Sequence, residues 1–141
     1  MSRRKATRPA PLTAPDRCPC GFEGKAYAEH CGRFHSGAAA APTAELLMRS
    51  RYSAFVVRDE AYLLRTWHPR TRPSRVGLSA ATRWNGLEIL GATDGSAFHS
   101  SGTVTFLARC TEDGRPVVLH ERSDFARVDG DWVYVDGTFL D

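Results

Sequence analysis

The hydrophobic period of the chain changes once, near Trp84, and that single change limits the folds open to it. Before it, apolar residues recur at helical spacing. In "TAELLMRSRYSAFVVRD", Ala44, Leu47, Met48, Tyr52 and Phe55 fall on one broad face. Thr43 is placed to cap that helix, and Glu45 puts an acid in its first turn. "DEAYLLRTWHP" reads as a second helix, with Asp59 as its cap and Pro69 as its stop. "TRPSRVGLSAATR" is either a short third helix or a loop. From Trp84 onward the segments "WNGLEILGAT", "AFHSSGTVTFLARCTE", "VVLHERSDFARV" and "WVYVDGTFL" are rich in β-branched and aromatic residues, and the last two alternate. "DGRP" and "DGD" are turn signals between them. Helices grouped before strands, rather than alternating with them, predict an α+β fold with a meander of about four antiparallel strands.

Composition sets the frame for that fold. Of 141 residues, 42% are hydrophobic and 25% charged, the balance of one globular domain with a real core. No apolar run approaches the roughly 18 residues of a membrane span, and no apolar stretch follows the basic N-terminus as in a secretory signal. The expected location is cytoplasmic. Residues 1–17, rich in Pro, Ala and Arg, are expected to be a disordered basic tail. Residues 18–83 hold ten basic and five acidic side chains, while residues 84–141 hold four basic and ten acidic ones. An anionic partner such as RNA would suit the basic half. Helices docking on an oppositely charged sheet account for the asymmetry more simply, and the basic half lacks the interleaved aromatics of single-strand binders.

Three of the four cysteines lie in "CPCGFEGKAYAEHCG". In a reducing compartment, such clustering points to metal rather than to disulfides. Cys18 and Cys20 can approach one ion from a tight turn favoured by Pro19 and Gly21. His30 and Cys31, ten residues on, would close the site from a short helical turn, giving three thiolates and one imidazole. His35 is a rival fourth ligand. This set suits Zn²⁺ better than an iron–sulfur cluster. With four protein ligands no position stays open, so the zinc would be structural. Cys110, alone in a strand, reads as a small buried residue.

"CPCG…YAEHCG" resembles the SEC-C zinc motif found in the tail of the translocase motor SecA and in small bacterial proteins. Here Phe22 replaces the motif's usual serine, and His30–Cys31 reverses its Cys-His order. "LMRSRYSAF", "TWHP" and "HERSDFARVDGDWVYVDG" resemble the YchJ family of bacterial proteins, a likeness running from Cys18 to the end. The resemblance implies a nuclear transport factor 2-like (cystatin-like) fold, with helices packed on a curved antiparallel sheet around a conical cavity. It also implies Cys18, Cys20, His30 and Cys31 as the zinc ligands. The expected organisation is a zinc knuckle at residues 18–36 and an α+β domain at 37–141, the latter able to fold without metal.

Arg51 lies between Leu47 and Phe55 on the apolar helix face, where a guanidinium needs a partner. By period two, Glu121 shares the core face of its strand with Val117, Leu119 and Phe125. Arg51–Glu121 is therefore a candidate internal ion pair, either clamping helix to sheet or lining the cavity. His68 is a third cavity candidate, or a helix-end cap. Trp67 reads as core, and Trp84 and Trp132 as core or rim aromatics. No catalytic residue is assigned. The expected function is that of a zinc-binding module with a protein, RNA or small-ligand partner, and the knuckle alone could dock a partner as the SecA tail docks a chaperone. The alternative is a small isomerase, dehydratase or hydrolase working in the cone.

Overall fold

The structure, a computed structural model, describes residues 15–140. The first fourteen residues of the expected tail lie outside this range. Asp16 and Arg17 lie inside it, in a short pairing with residues 26 and 27: Arg17 bridges Ala26, and the Tyr27 N–H donates to the Asp16 carbonyl. Two 3₁₀ turns, Phe22–Gly24 and Tyr27–Glu29, lead into helix α1 (Cys31–Ser36). Helices α2 (Ala44–Val57) and α3 (Glu60–Arg65) follow, then strands β1 (Thr82–Asp94), β2 (Ser101–Glu112), β3 (Arg115–Val128) and β4 (Asp131–Phe139). The "TRPSRVGLSAATR" segment up to Ala81 forms no helix; its Pro and Gly leave it irregular.

The caps are those the sequence predicts. The Thr43 hydroxyl accepts from the Leu46 N–H, and the Asp59 carboxylate accepts from the Tyr62 N–H. The sheet is an antiparallel meander in the order β1-β2-β3-β4. Two of its hairpins turn on Asp–Gly pairs, Asp113–Gly114 and Asp129–Gly130, with all four φ angles positive. That is the geometry whose twist matches the flanking strands. Register shifts after Trp84 and Ile89 in β1, and between Asp124 and Phe125 of β3, bend the sheet around α2.

The inner face of β2 presents Val104, Phe106, Ala108 and Cys110, and β3 adds Ser123 and Phe125, all buried. Of these, Val104, Phe106, Ala108 and Phe125 pack against Leu47, Met48 and Tyr52 of α2. The same cluster includes Cys18, Cys20 and Cys31, so the cysteine segment and the sheet share one core. This explains why α2 is buried well beyond the single face its pattern predicts. Ser50 and Ser53 are fully buried on its other side, where small side chains let the N-terminal segment approach closely.

Candidate metal centre

The cysteine segment is shaped by turns. The Gly21 N–H donates to the Cys18 carbonyl, closing a tight turn that brings Cys20 back toward Cys18, and the Cys18 N–H donates to Lys25. His30 sits just before α1 with φ −128° and ψ −106°, and Cys31 opens the helix. Gly32 is required next, because a Cβ there would lie 2.7 Å from the Tyr27 carbonyl oxygen. One turn and one helix start thus aim four donor atoms at a common point.

These atoms, the sulfurs of Cys18, Cys20 and Cys31 and Nδ1 of His30, all lie within 4.8 Å of one another, and all four residues are buried. Cys20 Sγ is 3.6 Å from Cys18 Sγ and 3.8 Å from Cys31 Sγ. His30 Nδ1 is 3.4 Å from each of the three sulfurs. A tetrahedral ion with Zn–S near 2.3 Å and Zn–N near 2.05 Å would give S–S edges of about 3.8 Å and N–S edges of about 3.6 Å. The cluster fits that tetrahedron. A disulfide would need sulfurs about 2.05 Å apart, and all the cysteines are free. Thiol hydrogen bonds from Cys20 and Cys31 push the Cys18 thiol far below its ordinary value, while the same contacts push Cys20 and Cys31 up.

The supporting contacts hold the imidazole flat. Phe22, the residue that departs from the SEC-C pattern, stacks on His30 with centroids 4.8 Å apart and planes 11° off parallel. The Arg49 guanidinium lies 5.1 Å from the centroid of the Phe22 ring and also donates to the Cys20 carbonyl at 3.0 Å. Ser53 Oγ lies 3.6 Å from Cys18 Sγ. His30 Nε2 is buried with no hydrogen-bond partner, so only the contacts at Nδ1 account for the polar atoms of this ring.

His35 is elsewhere. Its Nε2 is 2.8 Å from the Ser50 carbonyl, its Nδ1 meets the Tyr27 hydroxyl, and burial holds its imidazole below the ordinary value. It pins α1 to α2.

The cavity candidates are distributed differently. Arg51 is only 4% exposed, as its helix position predicts. Its Nη1 donates to the Leu63 carbonyl at 2.8 Å and to the Thr66 hydroxyl at 2.7 Å, and its guanidinium packs against the rings of Trp67 and Tyr134. Burial lowers its pKa to about 10, so it stays cationic at neutral pH. The anticipated ion pair does not form: Arg51 and Glu121 do not come within 4.0 Å. A backbone carbonyl and a hydroxyl on the neighbouring helix reach the guanidinium first. Glu121 accepts from the Ser123 hydroxyl at 3.3 Å, and burial raises its carboxyl pKa. Its carboxylate occupies the space a Cβ would need at Gly137. Both residues line a cavity of about 320 Å³ between α2 and the sheet. His68 does not line it; its Nδ1 accepts from the Arg70 N–H, and its own N–H donates to the Tyr134 carbonyl.

Residues 43–137 match the family model described as YchJ, middle NTF2-like domain. The chain belongs to the YchJ family. It is 62% identical over 138 residues to a UPF0225 protein of Streptomyces avermitilis, covering 98% of this chain and 95% of that one. Among solved structures it is similar to a SEC-C motif containing protein from Rhodopseudomonas palustris, with a TM-score of 0.75 and 32% identity over 89% of this chain and 99% of the other. A sec-c motif containing protein from Psychrobacter arcticus matches with a TM-score of 0.68 and 27% identity, covering 91% and 82%. These likenesses bear out the NTF2-like fold and the SEC-C resemblance. The YchJ-family chain thus carries a Cys/His cluster able to hold a metal, and no helix among its described residues is long and apolar enough to cross a membrane. Sequence reasoning missed Ser53 and Arg49 as supports of this cluster, and Ser50 as the residue whose carbonyl meets His35. The only available signal was the small-residue pair at i, i+3 in "SRYS".

Proposed function

We propose that this YchJ-family protein is a binding module whose N-terminal segment is fixed by one structural zinc ion. Cys18, Cys20, His30 and Cys31 would hold that ion. The observation carrying this reading is the spacing of the four buried donor atoms, which matches a tetrahedral coordination sphere with no position left for substrate or water. The ion would supply folding energy rather than chemistry, tying the turn at residue 18 and the start of α1 onto α2. The test is elemental analysis of untagged protein purified without chelator. About one zinc per chain is expected, retained by His35→Ala and lost by His30→Ala and Cys20→Ser. A metal content well below one, or loss of metal in His35→Ala alone, overturns the assignment.

The cavity favours a small ligand as the module's partner, because it is walled mainly by apolar side chains around Arg51 and Glu121, with exposed Glu112 also in its lining. An enzyme would draw on the same residues. Arg51 does not titrate near neutral pH, so Glu121 is the member of the pair that could act as an acid–base group. Turnover abolished by Glu121→Gln in a folded protein is the result that would favour catalysis.

A further inference from the structure

Two opposite charges share one cavity without touching. On one side, Arg51 spends only Nη1 on the protein; its Nε and Nη2 make no hydrogen bond. Neither atom is among the fully enclosed unpaired ones, and Arg51 lines the cavity. On the other side, Glu121 Oε2 accepts from Ser123, and Oε1 has no partner. The groups are more than 4.0 Å apart, yet each biases the other's titration. Around them stand Tyr52, Trp84, Phe106 and Leu119, with exposed Glu112 at the rim.

We propose that this cavity binds a small, uncharged, flat molecule carrying an amide edge, a C=O beside an N–H, as in aromatic lactams and imides. The charge pattern disfavours a singly charged ligand. An anion would suit Arg51 but meet Glu121, and a cation would suit Glu121 but meet Arg51; each would bring a desolvated like charge into the site. A neutral edge offers an acceptor to the guanidinium and a donor to the carboxylate, filling both at once. The volume lies at the small end of ligand sites, suited to a bicyclic ring system rather than a large cofactor. The aromatic and aliphatic walls suit a flat apolar body. A second depression, about 370 Å³ beneath residues 37–41, has Arg65 and Asp131 in its lining, both exposed, and holds no buried charge. The proposal does not depend on the metal assignment.

The experiment is an amide-resolved NMR titration of the full chain with 2-quinolinone. Three matched controls accompany it: quinoline, which lacks the amide edge; 2-naphthoate, an anion; and 2-naphthylmethylammonium, a cation. The expected result is that 2-quinolinone moves the amides of Tyr52, Phe106, Leu119 and Glu121 and binds at least tenfold tighter than each control. Glu121→Leu should reduce it to the level of quinoline. Ala108→Leu, which fills the cavity from the sheet, should abolish binding even if Glu121→Leu fails to fold. Tighter binding of either charged control, equal binding of quinoline, shifts confined to another surface, or undiminished binding by Ala108→Leu would each overturn the proposal.

Discussion

Helix α2 separates two regions built on opposite terms. On its serine side, Cys18, Cys20, His30 and Cys31 converge within 4.8 Å, with Ser53, Arg49 and Phe22 closing around them. On its Arg51 side, the polar groups of the cavity stand apart with donors and acceptors unspent. The first region is tight because its ligands come from fourteen neighbouring residues joined by turns. The second is open because its walls come from α2, Trp67 and all four strands, whose separation is set by sheet curvature rather than by local chain geometry. Convergent polar groups in a filled space point to a structural role, and unspent ones in an open space point to a ligand.

The largest expected effect tests whether the two regions share one fate. Cys20→Ser should lose the metal and lower the stability of the whole chain by more than about 4 kcal/mol, since the cysteines belong to the same core as Phe106 and Phe125. Thermal unfolding combined with hydrogen exchange measures it. If β2 and β3 keep full protection while residues 16–36 lose theirs, the regions unfold separately and the shared core is energetically trivial.

A pair of substitutions sharpens the contrast in packing. Ser53→Val adds bulk against Cys18 and should cost roughly 1–3 kcal/mol by overpacking. Ala108→Val adds bulk on the cavity wall and should cost less than about 1 kcal/mol, because space exists to receive it. Urea melts of both variants give the comparison; equal costs would mean the cavity side is as tightly filled as the metal side.

The smallest effect concerns pH. Burial raises the Glu121 carboxyl above its ordinary 4.5. The native state therefore holds this proton more tightly than the unfolded chain does. That stabilisation is fully present below about pH 4.5 and is lost as pH rises through the folded value. Glu121→Gln should accordingly be slightly more stable than the wild type above that window and equal to it below. Melts across pH 3.5–8 report the difference. A wild type more stable than the variant at neutral pH would show that attraction to Arg51 outweighs burial.

What was legible in the sequence follows the same division. The donor cluster could be read because all four residues lie within one short segment, and the helices and hairpins because caps and Asp–Gly turns act locally. Arg51 could be placed on a buried face from its spacing, but its partners could not. They are the carbonyl of Leu63 and the hydroxyl of Thr66, and no residue pattern announces a backbone acceptor. Nothing in the residue pattern marks Ser50 and Ser53 as buried; burial there depends on a segment that returns from the N-terminal side. His35, equal to His30 by composition, is separated from it only by the direction in which α1 points its side chain.

The register shifts in β1 have one more consequence. β1 is an edge strand of thirteen residues in a sheet that does not close, the sort of surface onto which another chain can add a strand. Its irregularities at Asn85 and Leu90 divide it into Thr82–Trp84, Gly86–Ile89 and Gly91–Asp94, so no regular run exceeds four residues. Each break turns the next backbone groups out of line for an incoming strand. The bends that wrap the sheet around α2 therefore also guard the protein against edge-to-edge aggregation.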